Sequence, residues 1–261
     1  MSPVRALAWV TLAALTAFAG LAPWTLPDPH AQDLSRTLRS PDLLYWLGTD
    51  TLGRNAMARL AEAMRTSLSL ALVSATAAAL IGCSLGIWAA WWRDWRSQAV
   101  QGVSDGVMAM PALLWVLLLS ALAPGEKWPL DLGLICTAWV EFFRTARASA
   151  AVILSSPQVQ SSRLLGFGPG YVVRHHIGPE LWPRMLTLCA FAVCNGVLAV
   201  AAMGFVGIGL RPPQAELGLL MTEALPHFDS DARLLFAPVL VLLAFVLSLH
   251  TLAVRPDETS P

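Results

Sequence analysis

Few side chains in this sequence are equipped for chemistry, and they are scattered: the pair His175-His176 beside Arg174, the acids Asp105 and Glu141, and Asn195 and His250 deep in apolar sequence. His175-His176 looks like a metal-binding pair, but no third ligand stands near it, and no metal site is expected. Cys83, Cys136, Cys189 and Cys194 all fall inside apolar segments with no metal-ligand spacing, and read as small buried hydrophobes. Glu141 and Arg144 are three residues apart on one helical face, which predicts a local ion pair. Asn195 and His250 predict hydrogen bonds between helices. No Ser/His or paired-carboxylate constellation lies at one depth, which argues against a hydrolase. A Gly-x-x-x-x-Gly-Lys-Ser/Thr phosphate loop is also absent, so the chain cannot hold ATP in the usual way. Energy for its function must come from another chain.

The elements that position these residues are apolar. Of 261 residues 56% are hydrophobic and 13% charged, too apolar a balance for an ordinary soluble domain. The formal net charge is zero, which points to no nucleic acid. A first apolar run, Ala6 to Ala22, follows Arg5 and ends at Pro23-Trp24. A cleaved signal peptide competes as a reading there, but the run is long for one, and a retained helix is expected. Further spans are expected at Ser69–Trp92, Val103–Leu122 (with Asp105 and Pro111 inside it), Leu130–Phe143, Met185–Leu210 and Leu234–Val254, each near the length that crosses a ~30 Å hydrocarbon core. Gly82, Gly86, Gly196 and Gly204 would let helices approach closely. The expected fold is all-α, with six transmembrane helices. Residues 1–66 would carry the first helix and an external segment, 67–255 the transmembrane domain, and 256–261 a tail.

Between the apolar blocks lies a polar break, residues 158–179, QVQSSRLLGFGPGYVVRHHIGP. It reads as two short helical pieces interrupted at Gly166, Gly168 and Pro169, with Pro179 ending the second. Leu164, Leu165, Phe167, Tyr171, Val172, Val173 and Ile177 give the pieces an apolar side; Arg163, Arg174 and the histidines give a wet one. By its residues alone, the stretch suits an amphipathic helix on the membrane surface equally well.

The same spacing resembles the Glu-Ala-Ala loop of inner-membrane permeases of ATP-binding-cassette importers, with Gln160, Ser161, Ser162, Gly166, Ile177 and Pro179 in its places. Gln160 is neutral where the motif most often has Glu, and Ser replaces both Ala. Residues 48–55, GTDTLGRN, are similar to the GTDxxGRD segment of the dipeptide, oligopeptide and nickel branch, with Asn55 for the second acid; read locally, Thr49 or Asp50 could cap a short helix. Val200 to Glu223 resembles the LGFLGxGxxPPxxEWGxML element: Gly204, Phe205, Gly207, Gly209, Pro212, Pro213, Glu216 and Gly218 match, and Leu217 replaces Trp. SDGVMAMPALLW, from Ser104, follows the family's acid-before-Pro pattern. The end of the last span departs from the family, keeping only Arg255 and a Leu between Ser248 and Asp257.

The resemblance implies a translocation subunit without catalytic residues or a cofactor of its own. ATP and Mg would sit in two cytoplasmic ATPase subunits that grip Gln160 to Phe167 with Ile177 and Pro179, including Arg163, Leu164 and Leu165. It further implies a second homologous permease, a periplasmic or lipid-anchored solute-binding protein, and a solute such as a peptide, nickel or a metal chelate. Candidates for the translocation path are Asp105, Met110, Pro111, Asn195 and Met203. A secondary transporter or channel working without an ATPase is the alternative. Location in a bacterial inner membrane with both termini cytoplasmic follows from an even span count and the arginines. Placing 158–179 inside puts nine basic residues in the cytoplasm against three outside, once the charge-balanced first external segment is set aside.

Overall fold

The computed structural model describes residues 3–92 and 94–254, and the only β-type pairing among them is a bridge between Thr49 and Asn55. Helix α1 (Pro3–Thr25) is followed by an irregular segment with one short 3-10 turn, and then by α2 (Ala56–Trp92). At 37 residues α2 is about 55 Å long, so it must project beyond a hydrocarbon core of about 30 Å. Asn55 caps its start, accepting from the Ala58 N–H at 3.0 Å, while Thr49 and Asp50 hold the preceding loop instead.

The stretch expected as one span at Val103–Leu122 is broken. Helices α3 (Trp95–Met108) and α4 (Ala112–Ser120) meet at 86°. Pro111 has no N–H to give the turn before it and its ring crowds that turn. The Trp115 indole N–H then donates to the Val107 carbonyl at 2.9 Å across the bend. Next comes α5 (Lys127–Leu154), longer than the expected Leu130–Phe143 but, with Asp131, Glu141, Arg144 and Arg147 along it, not apolar enough to pass as a span by composition.

The polar break forms α6 (Pro157–Leu164) and α7 (Pro169–Val172), but Pro179 does not end the second piece. A π turn at Val173–Ile177 carries the chain directly into α8 (Gly178–Phe205), and Pro179 lies in its first turn, where a missing N–H costs least. Helix α8 stops at Phe205, short of the expected Leu210, where Gly207 turns the backbone at φ +84°. Helices α9 (Leu217–Ala224) and α10 (Arg233–Ala253) complete the bundle. Among the described residues four stretches are long and apolar enough to cross a membrane: α1, α2, α7 through α8, and α10; the bent pair makes a fifth if taken as one span. Arg93, Arg255 and the 256–261 tail lie outside the described residues.

Three apolar clusters hold the bundle. One joins α1, α2, α8, α9 and α10 through Ala19, Met64, Val197 and Phe245. A second joins α2, α5 and α8 to the polar break through Phe142, Val159, Val172 and Ile177. The third gathers Leu70, Val116, Leu134, Val200 and Met203 between α2, α4, α5 and α8. The largest helix–helix contact is α2 on α5, and its closest points are the glycines. A Cβ on Gly82 would stand 2.6 Å from that of Phe142, and one on Gly86 would stand 2.6 Å from the Phe143 carbonyl oxygen. Gly82→Val should therefore push α5 off α2 at a cost of about 1–3 kcal/mol or more, read as a fall in melting temperature of the detergent-solubilised protein. Gly102→Val, in open space, should leave the melting temperature close to wild type.

Candidate functional site

The 155–177 turn leaves the bundle at the Trp92 end of α2, where the Arg163 guanidinium lies over the Trp91 ring at 4.2 Å. Ser156 caps α6, accepting from the Val159 N–H at 3.5 Å. Val159, Val172 and Ile177 are fully buried and root both limbs of the turn in the core. Between them Leu164 is 89% exposed and Leu165 77%, with Phe167 at the apex. Gly166 makes the reversal at φ +86°, a conformation that L side chains rarely adopt. Tyr171 stacks between Phe167 and His175, with centroids 4.1 and 4.3 Å away, which stiffens the far limb. Ser162 and the His176 ring lie 3.0 Å apart and tie the two limbs together, so both histidines are occupied structurally.

Gln160 donates its side-chain N–H to the Ser155 carbonyl at 3.1 Å, at the end of α5. A Glu in that place could not donate. Ser161 and Arg163 are exposed, Ser162 half-buried; Pro179 is exposed at the foot of α8.

Of the residues considered for a solute path, Asp105, Met110, Pro111 and Asn195 are exposed on one side of the bundle. Met203 is not; at 4% exposure it belongs to the core with Val200 and Leu210. The expected Glu141–Arg144 pair does not form. Arg144 reaches across to Asp105 on α3 at 2.5 Å, because α3 crosses α5 at that level, and Glu141 faces open space instead. Asn195 lines a cavity beside Glu141 without an interhelical hydrogen bond among the described residues. His250 packs edge-on against Phe191.

The opposite end carries the two remaining motifs. Asp50 accepts from the Leu52 and Arg54 N–H groups, from Arg54 Nε at 2.6 Å and from Arg59 Nη1 at 2.8 Å. Burial pushes its carboxyl up, but the Arg59 and Arg54 bonds outweigh this and hold it below the usual range. Arg59, 1% exposed, also donates to Glu223 on α9 at 2.6 Å, so one guanidinium joins the first loop, α2 and α9. No local pattern signals this clamp, since Arg59 and Glu223 are 164 residues apart.

Glu216, at the start of α9, is fully buried, and neither carboxyl oxygen has a side-chain hydrogen-bond partner among the described residues. It lies in a cradle of glycines. A Cβ on Gly204 or Gly209 would fall on the Glu216 carboxyl, and one on Gly218 would fall on the Ala201 carbonyl. The spacing of the element from Val200 to Glu223 is thus the spacing needed to press α9 and its loop onto the end of α8.

Comparison with known proteins follows the same residues. Residues 82–255 match the profile of the "Binding-protein-dependent transport system inner membrane component" family. The chain is 30% identical over 246 residues to the nickel transport system permease protein NikC of Escherichia coli (strain K12), covering 94% of this chain and 88% of that one. It is 31% identical over 204 residues to a protein of Brucella suis biovar 1 assigned to a peptide transport system as a permease protein, covering 78% and 69%. A chain of the MetNI methionine ABC transporter, in an inward-facing crystal form, superposes with a TM-score of 0.62 at 17% identity, over 76% of this chain and 94% of that chain. The chain belongs to the binding-protein-dependent transport permease family: it is a multi-pass inner-membrane translocation subunit that works with ATPase and solute-binding partners, not a self-contained secondary transporter.

Burial raises the Glu216 carboxyl to about 8, only partly offset by the Leu219 N–H. The folded chain therefore holds this proton more tightly than the unfolded chain does. The contribution of Glu216 to stability should be greatest below about pH 4.5, fall as the unfolded carboxyl ionises, and level off above about pH 8, a change on the order of a few kcal/mol. Glu216→Gln, which keeps the shape without the titration, should flatten that part of the stability–pH profile in denaturation measured from pH 5 to 8.

Proposed function

We propose that this chain is one of two permease subunits lining the passage of an ATP-driven importer. Its 158–179 turn sits in the grooves of cytoplasmic ATPases that carry ATP and Mg. The observation that carries this reading is the exposed apolar apex, Leu164, Leu165 and Phe167, held out on two limbs rooted by fully buried Val159, Val172 and Ile177. An apolar tip on a rooted, stacked support suits insertion into a protein groove. A surface-lying helix would spread its apolar residues along its length.

In this reading α5 spans the membrane as the fourth of six crossings, its charged side covered by α2 and by the passage. Both termini and the 158–179 turn are cytoplasmic, and Asp50, Arg59, Glu216 and Glu223 lie at the periplasmic end, where the solute-binding protein docks. Closure of the ATPases on ATP swings the turn as a lever, and the rooted limbs pass the motion to α5 and α8. The solute is a peptide or a nickel species, free or chelated, as the names of its relatives suggest.

Because Gln160 is engaged with Ser155 rather than offering a charge outward, ATPase docking should rest on apolar burial, at about 25 cal/mol per Å². The ATPase should stay bound at high ionic strength, and Phe167→Ala should release it, in co-purification at low and high salt. High salt releasing the ATPase while Phe167→Ala retains it would sink the docking scheme. For orientation, a cysteine at position 165 should react with an impermeant thiol reagent only after permeabilisation. One at position 43, where Leu43 is 99% exposed, should react in intact cells. The reverse pattern would invert the topology.

A further inference from the structure

Glu141 lies near the midpoint of the 28-residue α5, about 20 Å from either end at 1.5 Å per residue. With α5 read as a crossing, a carboxylate there faces a bundle interior or a water-filled cavity rather than hydrocarbon. In this chain it is exposed, and among the described residues no cation pairs with it. The cation three residues on, Arg144, is turned away to Asp105 at 2.5 Å, and Arg147 is turned to Gln101. The structure leaves the Glu141 charge unmatched.

What it faces is built. Two adjoining cavities, of about 140 and 250 Å³, share Ala112, Thr137 and Glu141 in their walls. Ser74 and Asn195 add polar groups to the first, and Met108 and Met110 add thioethers to the second. A carboxylate with hydroxyl, amide and thioether neighbours, open on the side where the chain is otherwise uncovered, suits a positively charged group in transit. It disfavours an anion by direct repulsion.

We propose that Glu141 is a specificity-determining residue of the passage, receiving the cationic part of the solute as it crosses. This rests on the reading of the chain as one half of a two-permease passage. The charge has two possible sources, an ammonium group or a metal cation, and the carboxylate recognises either through the same attraction.

The test uses the whole importer, both permeases with ATPases and binding protein, in proteoliposomes. Three probes are offered: nickel ion alone, the dipeptide Ala-Ala with its free ammonium, and N-acetyl-Ala-Ala without one. The wild type should take up nickel or Ala-Ala, and whichever moves names the source of the charge. It should take up the acetylated peptide at least tenfold less well. Glu141→Gln should raise KM for the transported cation about tenfold or more, and Glu141→Asp should restore it to within about threefold of wild type. ATP hydrolysis stimulated by the binding protein should be unchanged in both variants, because Glu141 is far from the ATPase turn; loss of that readout in the wild type marks failure of the assembly scheme instead. The proposal is overturned if Glu141→Gln leaves KM unchanged, if the acetylated peptide is carried as well as the others, or if neither cation is carried. It is equally overturned if Glu141→Gln only weakens co-purification of the second permease, for then a cation of that subunit matches the charge. The wild-type comparison among probes needs no variant to fold.

Discussion

The seating of α5 on α2 is the constraint from which the rest of the bundle follows. A helix that carries Asp131, Glu141, Arg144 and Arg147 cannot lie bare in hydrocarbon. It becomes compatible with a bilayer only when one side is pressed into protein and the other is reserved for polar company. Gly82 and Gly86 allow that pressing because they put no side chain of α2 between the two helices where they are closest. Ser74, donating to Asp131 at 2.7 Å, satisfies the acid nearest the start of α5 on the same face. The uncovered face is then left with Thr137, Glu141 and Arg144, and the broken pair α3 and α4 folds over only part of it.

The two ends of the bundle are built on opposite principles. At the Asp50 end, charge is internalised: Arg59 is nearly inaccessible and joins three segments through Asp50 and Glu223, while Glu216 is sealed without a charged partner. Breaking such a buried cluster by deleting one member leaves uncompensated charge behind, at roughly 3–5 kcal/mol. That end is suited to hold its shape. At the 158–179 end, apolar surface is externalised instead, on a turn fixed by a left-handed glycine and a stacked aromatic column. Apolar surface held open in this way is available for exchange with another protein. The π turn at Val173–Ile177 joins the turn directly to α8, so displacement of its far limb is displacement of α8 itself.

The departures from the family pattern acquire physical meaning in this setting. Gln160 can donate to the Ser155 carbonyl, tying the start of the turn to the end of α5. Asn55 caps α2 with its side-chain amide oxygen, work that the carboxylate of a second acid could also do. For Leu217 in place of Trp, the structure shows a buried residue against Ser67 and the α8–α10 core, where a smaller side chain is accommodated.

The sequence by itself determined the helical class, most of the apolar segments, the family and the position of the turn. Each of these is written in local spacing: runs of apolar residues near the length of a bilayer, or glycines and prolines a few residues apart. The glycine-rich element after Val200 was recognisable as a pattern, though its reason, a cradle for Glu216, was not. Only the tertiary structure decided who pairs with whom. Periodicity put Glu141 and Arg144 on one helical face and predicted a pair between them. The crossing of α3 gave Arg144 a nearer partner in Asp105 and freed Glu141. Met203 looked like a path residue and is core, while Arg59 and Glu223, 164 residues apart, form the clamp. Partner choice depends on how closely helices distant in the chain approach, and glycine-mediated approach is a property of two surfaces at once, which no single stretch of sequence contains.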